Sequence, residues 1–206
     1  MEPATHALSP RPPFPSTGRS VAAAHLPGDL AVWIFILAEL LAFAVFFAAY
    51  AFARAADVDA FNLEQATLDR DAGALNTVLL LTSSFFVVRA VQQAQAGRSR
   101  AACPWLAAAL ICGLGFVVVK VVEYADKFAQ DISLSTSTFY MFYLSLTFFH
   151  FMHVILGMVI LGALWLNARR GRYGPHDMNG IETGAAYWHM VDLVWLILFP
   201  LVYVMR

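Results

Sequence analysis

Long apolar runs alternate with short polar connectors along this chain. Five of the runs are long enough to cross a bilayer as a helix, for which about 20 apolar residues suffice. They cover residues 30–53, 74–94, 104–124, 139–166 and 184–205. The pattern predicts an all-α integral membrane protein: five transmembrane helices forming one bundle over residues 29–206. Ahead of it lies a Pro-rich stretch, 1–28, without an apolar run. It lacks the apolar core behind a basic start that marks a signal peptide, and is expected to be a flexible cytoplasmic tail. Asn76, Thr77, Thr82, Ser83 and Ser84 interrupt the second span. Small hydroxyls of this kind suit a helix packed among others rather than one bathed in lipid. Pro104 fits the first turn of the third span. Residues 61–70 predict a short surface helix, with Asn62 as its cap and Gln65 three residues on.

Composition agrees with that pattern. Of 206 residues, 60% are hydrophobic and 13% charged, whereas soluble domains are roughly half apolar and a quarter charged. A net charge of -1 gives no reason to expect a nucleic-acid partner. Cys103 and Cys112 lie nine apart in one predicted helix and form no C-x-x-C pair, so no disulfide is expected. Loop charge orients the bundle. The tail and the second and fourth connectors, counted with Arg89 near the end of the second span, carry eight Lys/Arg, while the opposite side, with Arg206, carries four. This predicts a cytoplasmic N-terminus and a periplasmic C-terminus, in the inner membrane of a bacterium.

Ionisable residues inside spans are costly, so they must face protein or water. Here they are Glu39, Lys120, Glu123, His150, His153, His189 and Asp192, with Glu182 at the mouth of the last span. Positions 182, 189 and 192 share one helical face, together with Ala185 and Ala186. Counting about 1.5 Å per residue places Glu39 about 14 Å and Asp192 about 12 Å into their spans from the same side. His153 lies near the middle of its span. One buried polar layer holding Glu39, His153, His189 and Asp192 is therefore expected. Two histidines at i, i+3 and a His-x-x-Asp on another helix could hold iron, copper or zinc, or a haem. Interhelical hydrogen bonding is the stronger reading, because the spacing is unspecific and polar residues in bundles usually join helices. Glu39 stands alone in a strongly apolar stretch, where desolvation disfavours its charge unless a histidine or hydroxyl pairs with it. A proton relay and a structural hydrogen bond weigh evenly there. Lys120 and Glu123, one turn apart, are expected to form an ion pair that snorkels to the interface. Trp33, Trp105, Trp165 and Tyr203 fall where an interfacial aromatic belt belongs. Gly113, Gly115, Gly157 and Gly162 would admit close helix contact. No phosphate-binding glycine loop, nucleophile motif or sizeable extramembrane segment is present.

Taken together, these motifs resemble one family. The last span, with Glu182, His189, Asp192 and Trp195 in an E-x6-H-x2-D-x2-W pattern, closely resembles the last helix of haem–copper oxidase (cytochrome c oxidase) subunit III. The segment TFFHFMHV at 147–154, followed by Gly157, is similar to that family's T-G-x-H-G-x-H-V-x-x-G. GFVVVKVVEY at 115–124 resembles its G-x-x-F-x-x-x-Q-x-x-E-Y, and LNT at 75–77 with the following TSS its L-N-T-x-L-L-x-S-S. Glu39 stands where the family has a buried, carbodiimide-reactive glutamate. The departures are Phe148 and Phe151 for two glycines, Lys120 for a glutamine, and counterparts of only the last five of seven helices. The short form, the PGDLAVWIFILAEL start at 27–40 and the spacing of Asn62, Gln65 and Leu68 resemble most the subunit III-like accessory protein associated with nitric oxide reductases.

The resemblance implies a non-catalytic subunit without a redox centre or metal of its own. Haem and copper or iron would reside in the catalytic partner, either a haem–copper oxidase or a nitric oxide reductase, with membrane phospholipid as a further contact. Glu39, His150, His153, Glu182, His189 and Asp192 are the motif positions, with structural, proton or lipid roles rather than catalysis. The alternatives are a true subunit III of an aerobic terminal oxidase and, in another class, a stand-alone metal- or haem-binding membrane protein.

Overall fold

A computed structural model describes residues 30–175 and 177–205, so the predicted tail at 1–28 lies outside the described residues. Six helices follow in order: α1 Leu30–Ala56, α2 Val58–Gln65, α3 Arg70–Gln95, α4 Ser99–Ala129, α5 Thr138–Arg169 and α6 Asn179–Phe199. A single wide turn of π-helix, Pro200–Val204, closes the chain. All but α2 are long and apolar enough to cross a membrane. Each of the five runs several residues past its apolar core, because charged and amide side chains continue the helix into the interface.

The ends of the helices follow local chemistry. Asp57 caps α2 by accepting from the Ala60 amide, and Asp69 caps α3 by accepting from the amides of Asp71 and Ala72. The expected Asn62 cap is thereby corrected: Asn62 lies inside α2 and accepts instead from Arg54 at 2.8 Å. Pro104 sits inside α4, which begins at Ser99. Gly97 and Gly171 terminate α3 and α5 with φ of 73° and 72°. The left-handed turn at Gly97 lets the Arg98 amide reach back to the Gln93 carbonyl at 3.0 Å. Pro200 has no amide hydrogen, and the helix widens after it, with the Met205 amide bonding the Pro200 carbonyl at 2.9 Å.

α6 is the axis of the bundle, packed against α1, α3 and α5, while α4 joins α3 to α5. Trp188 on α6 makes this closeness visible. A Cβ on Gly157 of α5 would lie 2.7 Å from its ring, and one on Gly113 of α4 would lie 3.1 Å away. Gly115 packs against Leu79, while Gly162 has nothing within 4 Å and is not a packing glycine. α1 is the least enclosed span, with Leu30, Ile34, Leu37, Leu41, Val45 and Phe52 exposed. The expected aromatic belt is corrected at one position: Tyr203 is 0% exposed. Trp105 and Trp165 instead lie under arginines, Arg89 at 5.3 Å and Arg169 at 4.7 Å from the ring centres.

The connectors gather at two ends. At one, Ser99 donates to the Ala168 carbonyl and accepts from the Tyr173 amide. At the other, Arg54 donates to the Met205 carbonyl, Ser137 to Glu64, and Lys127 to the Thr67 carbonyl. Consecutive spans therefore alternate in direction.

Candidate functional site

The ionisable side chains inside the bundle fall into three groups by their hydrogen bonds and ion pairs. The first joins α1 to α5. Glu39 and His153 meet with Oε2 and Nε2 3.0 Å apart, and their side chains are 21% and 10% exposed. His153 Nδ1 lies 2.7 Å from the Phe149 carbonyl. A carbonyl only accepts, so Nδ1 carries the hydrogen. One proton then remains for Nε2 and the Glu39 carboxyl to share, as an ion pair or as a neutral acid bonded to a neutral imidazole. Phe43 and Phe149 close around the ring, at 5.3 and 4.6 Å between centroids.

The second group joins α3 to α6. Ser84 Oγ lies 3.2 Å from His189 Nδ1 and also faces the Asp192 carboxyl. A hydroxyl donates once and accepts twice, so one serine can serve both side chains. One turn on, Trp195 Nε1 donates to Thr77 Oγ1 at 3.0 Å. Two of the hydroxyls that interrupt the second apolar run, Thr77 and Ser84, are thus partners of the last helix, while Ser83 donates to the Ala109 carbonyl of α4 at 2.9 Å. Glu182 is half-buried on α6 and joins neither group. His150 is fully buried, and neither ring nitrogen has a partner among the described residues. It is held by rings alone, with Trp195 at 5.2 Å and Phe116 at 5.7 Å.

The third group joins α4, α5 and the terminal π-turn, and it corrects an expectation. Lys120 and Glu123 do pair, at 3.1 Å, but their side chains are 0% and 5% exposed rather than snorkelling to an interface. Tyr143 and Tyr203 both donate to Glu123 Oε1, and Lys120 donates to the Tyr203 oxygen at 2.9 Å. The rings of Tyr124, Tyr143, Trp195 and Tyr203 surround the ammonium at 4.7–5.8 Å. Hydroxyls and aromatic faces thus replace water around both charges. The periodicity of single spans does not reveal that Tyr143 and Tyr203 meet Glu123 or that Ser84 meets His189. The face of α4 was nevertheless legible, because Leu106, Ala109, Gly113, Phe116, Lys120, Glu123 and Lys127 recur at alternating steps of three and four, and all are buried.

These arrangements tie helices together and present a shared proton at Glu39–His153. Among the described residues, no three His, Cys, Asp or Glu side chains converge as metal ligands would.

Comparison with known proteins agrees with this architecture. The family model described as cytochrome c oxidase subunit III matches residues 18–206. Cytochrome c oxidase subunit 3 of Thermostichus vulcanus is 29% identical over 177 residues, covering 85% of this chain and 86% of its own. Quinol oxidase subunit 3 of Bacillus subtilis is 28% identical over 176 residues, with the same coverage of 85% and 86%. Probable cytochrome c oxidase subunit 3 of Nocardia farcinica is 30% identical over 173 residues, covering 84% and 85%. This multi-pass membrane protein belongs to the cytochrome c oxidase subunit III family.

Proposed function

We propose that the chain is a non-catalytic membrane subunit or accessory factor of a haem–copper oxidase-type respiratory complex, in the branch that accompanies nitric oxide reductase. Haem and copper or iron belong to its catalytic partner. The observation that carries this reading is the family match across all five spans. The polar side chains support it, because they are used between helices. The narrower branch rests on the PGDLAVWIFILAEL start and on Asn62, Gln65 and Leu68 in and after α2. Arginine placement supports a cytoplasmic N-terminus and a periplasmic C-terminus: Arg98 and Arg100 share one end with Arg169, Arg170 and Arg172.

Affinity purification of the full chain from its native membranes tests the assignment. Co-purification of a nitric oxide reductase catalytic subunit is expected. Capture of oxidase subunits I and II would move the chain to the aerobic branch. A lone chain carrying stoichiometric haem or metal would overturn both.

The Glu39–His153 pair gives a sharper test. Glu39→Ala is expected to leave membrane insertion intact and to lower turnover or shorten the working life of the complex, whereas Glu39→Gln should keep the packing. Turnover and inactivation rates equal to wild type in both variants would reduce the carboxyl to a packing role.

A further inference from the structure

Tyr143 of α5 and Tyr203 of the terminal turn send their phenolic hydrogens to a single atom. Both donate to Glu123 Oε1, at 2.5 and 2.6 Å. The other carboxylate oxygen faces the Lys120 ammonium at 3.1 Å. Both tyrosines are 0% exposed, so water does not compete for these hydrogens. Glu123 Oε1 is thus a base already in contact with two phenols.

The same phenols belong to a file of oxidisable rings. Between ring centres, Trp195 lies 6.3 Å from Tyr203, Tyr203 6.1 Å from Tyr143, and Tyr143 6.3 Å from Tyr140. The file runs from Trp195, wholly enclosed in the bundle, to Tyr140, whose hydroxyl meets that of Thr67 at 2.7 Å in the connector after α2.

One-electron oxidation of a phenol is the chemistry that uses such an arrangement. A phenol that loses an electron becomes a strong acid, so its proton must leave as well. A base that already accepts the hydrogen bond takes that proton without any group having to move. We propose that Glu123, Tyr143 and Tyr203 form a redox site that holds one oxidising equivalent as a neutral tyrosyl radical on Tyr143. A one-electron, metal-centred oxidant takes an electron from the Tyr143 ring, directly or through the neighbouring rings. The phenolic O–H bond breaks, and an O–H bond forms at Glu123 Oε1. The products are a neutral phenoxyl radical, a carboxylic acid that donates back to the phenoxyl oxygen, and the oxidant reduced by one electron. Re-reduction returns the proton along the same hydrogen bond. Tyr143 holds the radical rather than Tyr203 because Lys120 donates to the Tyr203 oxygen at 2.9 Å, and a cation there opposes loss of an electron. In the complex proposed above the oxidant belongs to the catalytic partner, whereas the site itself needs only this chain.

Flash photolysis of the purified full chain in detergent tests the site without the partner, with ruthenium tris-bipyridine as photo-oxidant and a cobalt(III) ammine as quencher. Wild type is expected to give a tyrosyl radical by electron paramagnetic resonance. The infrared carbonyl band of a protonated carboxyl should rise with it and shift in heavy water. Tyr143→Phe should lose both signals, and Tyr203→Phe should keep them. Glu123→Gln should lose the infrared band and slow radical formation by about 100-fold, the lower end of what a positioned base contributes. Tyr143→Phe decides the matter where Glu123→Gln does not fold. A radical that persists unchanged in Tyr143→Phe, is lost equally in Tyr203→Phe, rises without the carboxyl band, or fails to form in wild type under illumination that oxidises free tyrosine would each overturn the site.

Discussion

Glu123→Leu is expected to lower the stability of the bundle by about 3–5 kcal/mol, because it strands the Lys120 ammonium in a dry pocket without a counter-charge. The residual Tyr203 oxygen and the aromatic rings around Nζ offset only part of that loss. Lys120→Met should be milder, since Tyr143 and Tyr203 would still donate to the carboxylate, which can also take up a proton. The combined Lys120→Met, Glu123→Leu chain should be more stable than Glu123→Leu alone, as replacing a whole buried pair by apolar groups is often neutral. Denaturant unfolding of the purified chain in detergent measures all three. A Glu123→Leu chain within about 1 kcal/mol of wild type would mean that the pair is solvated after all. The same pair anchors the C-terminus: Tyr203 is bound to it, and Arg54 holds the Met205 carbonyl two residues on. Loss of Glu123 should therefore make the 200–205 segment the first to yield to carboxypeptidase.

Gly157→Ala should destabilise by about 1–3 kcal/mol through overpacking. Its new methyl would sit 2.7 Å from the Trp188 ring. Trp188 is 1% exposed and is also backed by Gly113, so it has no free direction in which to retreat. The expected response is a widened α5–α6 contact and a lower melting temperature. Gly162→Ala is the internal control, with nothing within 4 Å of the added carbon. It should equal wild type or exceed it slightly, since alanine favours helix over glycine by up to about 1 kcal/mol. Equal melting temperatures for the Gly157 and Gly162 variants would refute the wedge.

These two sites also mark where local reading succeeds. The five spans, their alternation and the inward face of α4 follow from hydrophobic length and from steps of three and four, which are properties of one helix at a time. Lys120 and Glu123 fall on that inward face with Phe116 and Gly113, and their pairing follows from one helical turn. Their depth does not. It depends on Tyr143 and Tyr203 arriving from chain segments 20 and 80 residues beyond Glu123 to replace water. Similarly, Ser84 and Thr77 look like mere interruptions of an apolar run until α6 brings His189, Asp192 and Trp195 against them.

Sequence alone thus determined the membrane-spanning character, the five helices and the subunit III resemblance, because bilayer thickness and helical periodicity act over neighbouring residues. The tertiary structure decided the partners: Glu39 with His153, Ser84 with His189 and Asp192, His150 among rings, and Lys120 with Glu123 sealed under two tyrosines. Which side chains meet across a bundle depends on helix order, rotation and axial offset, and no single helix's periodicity encodes those.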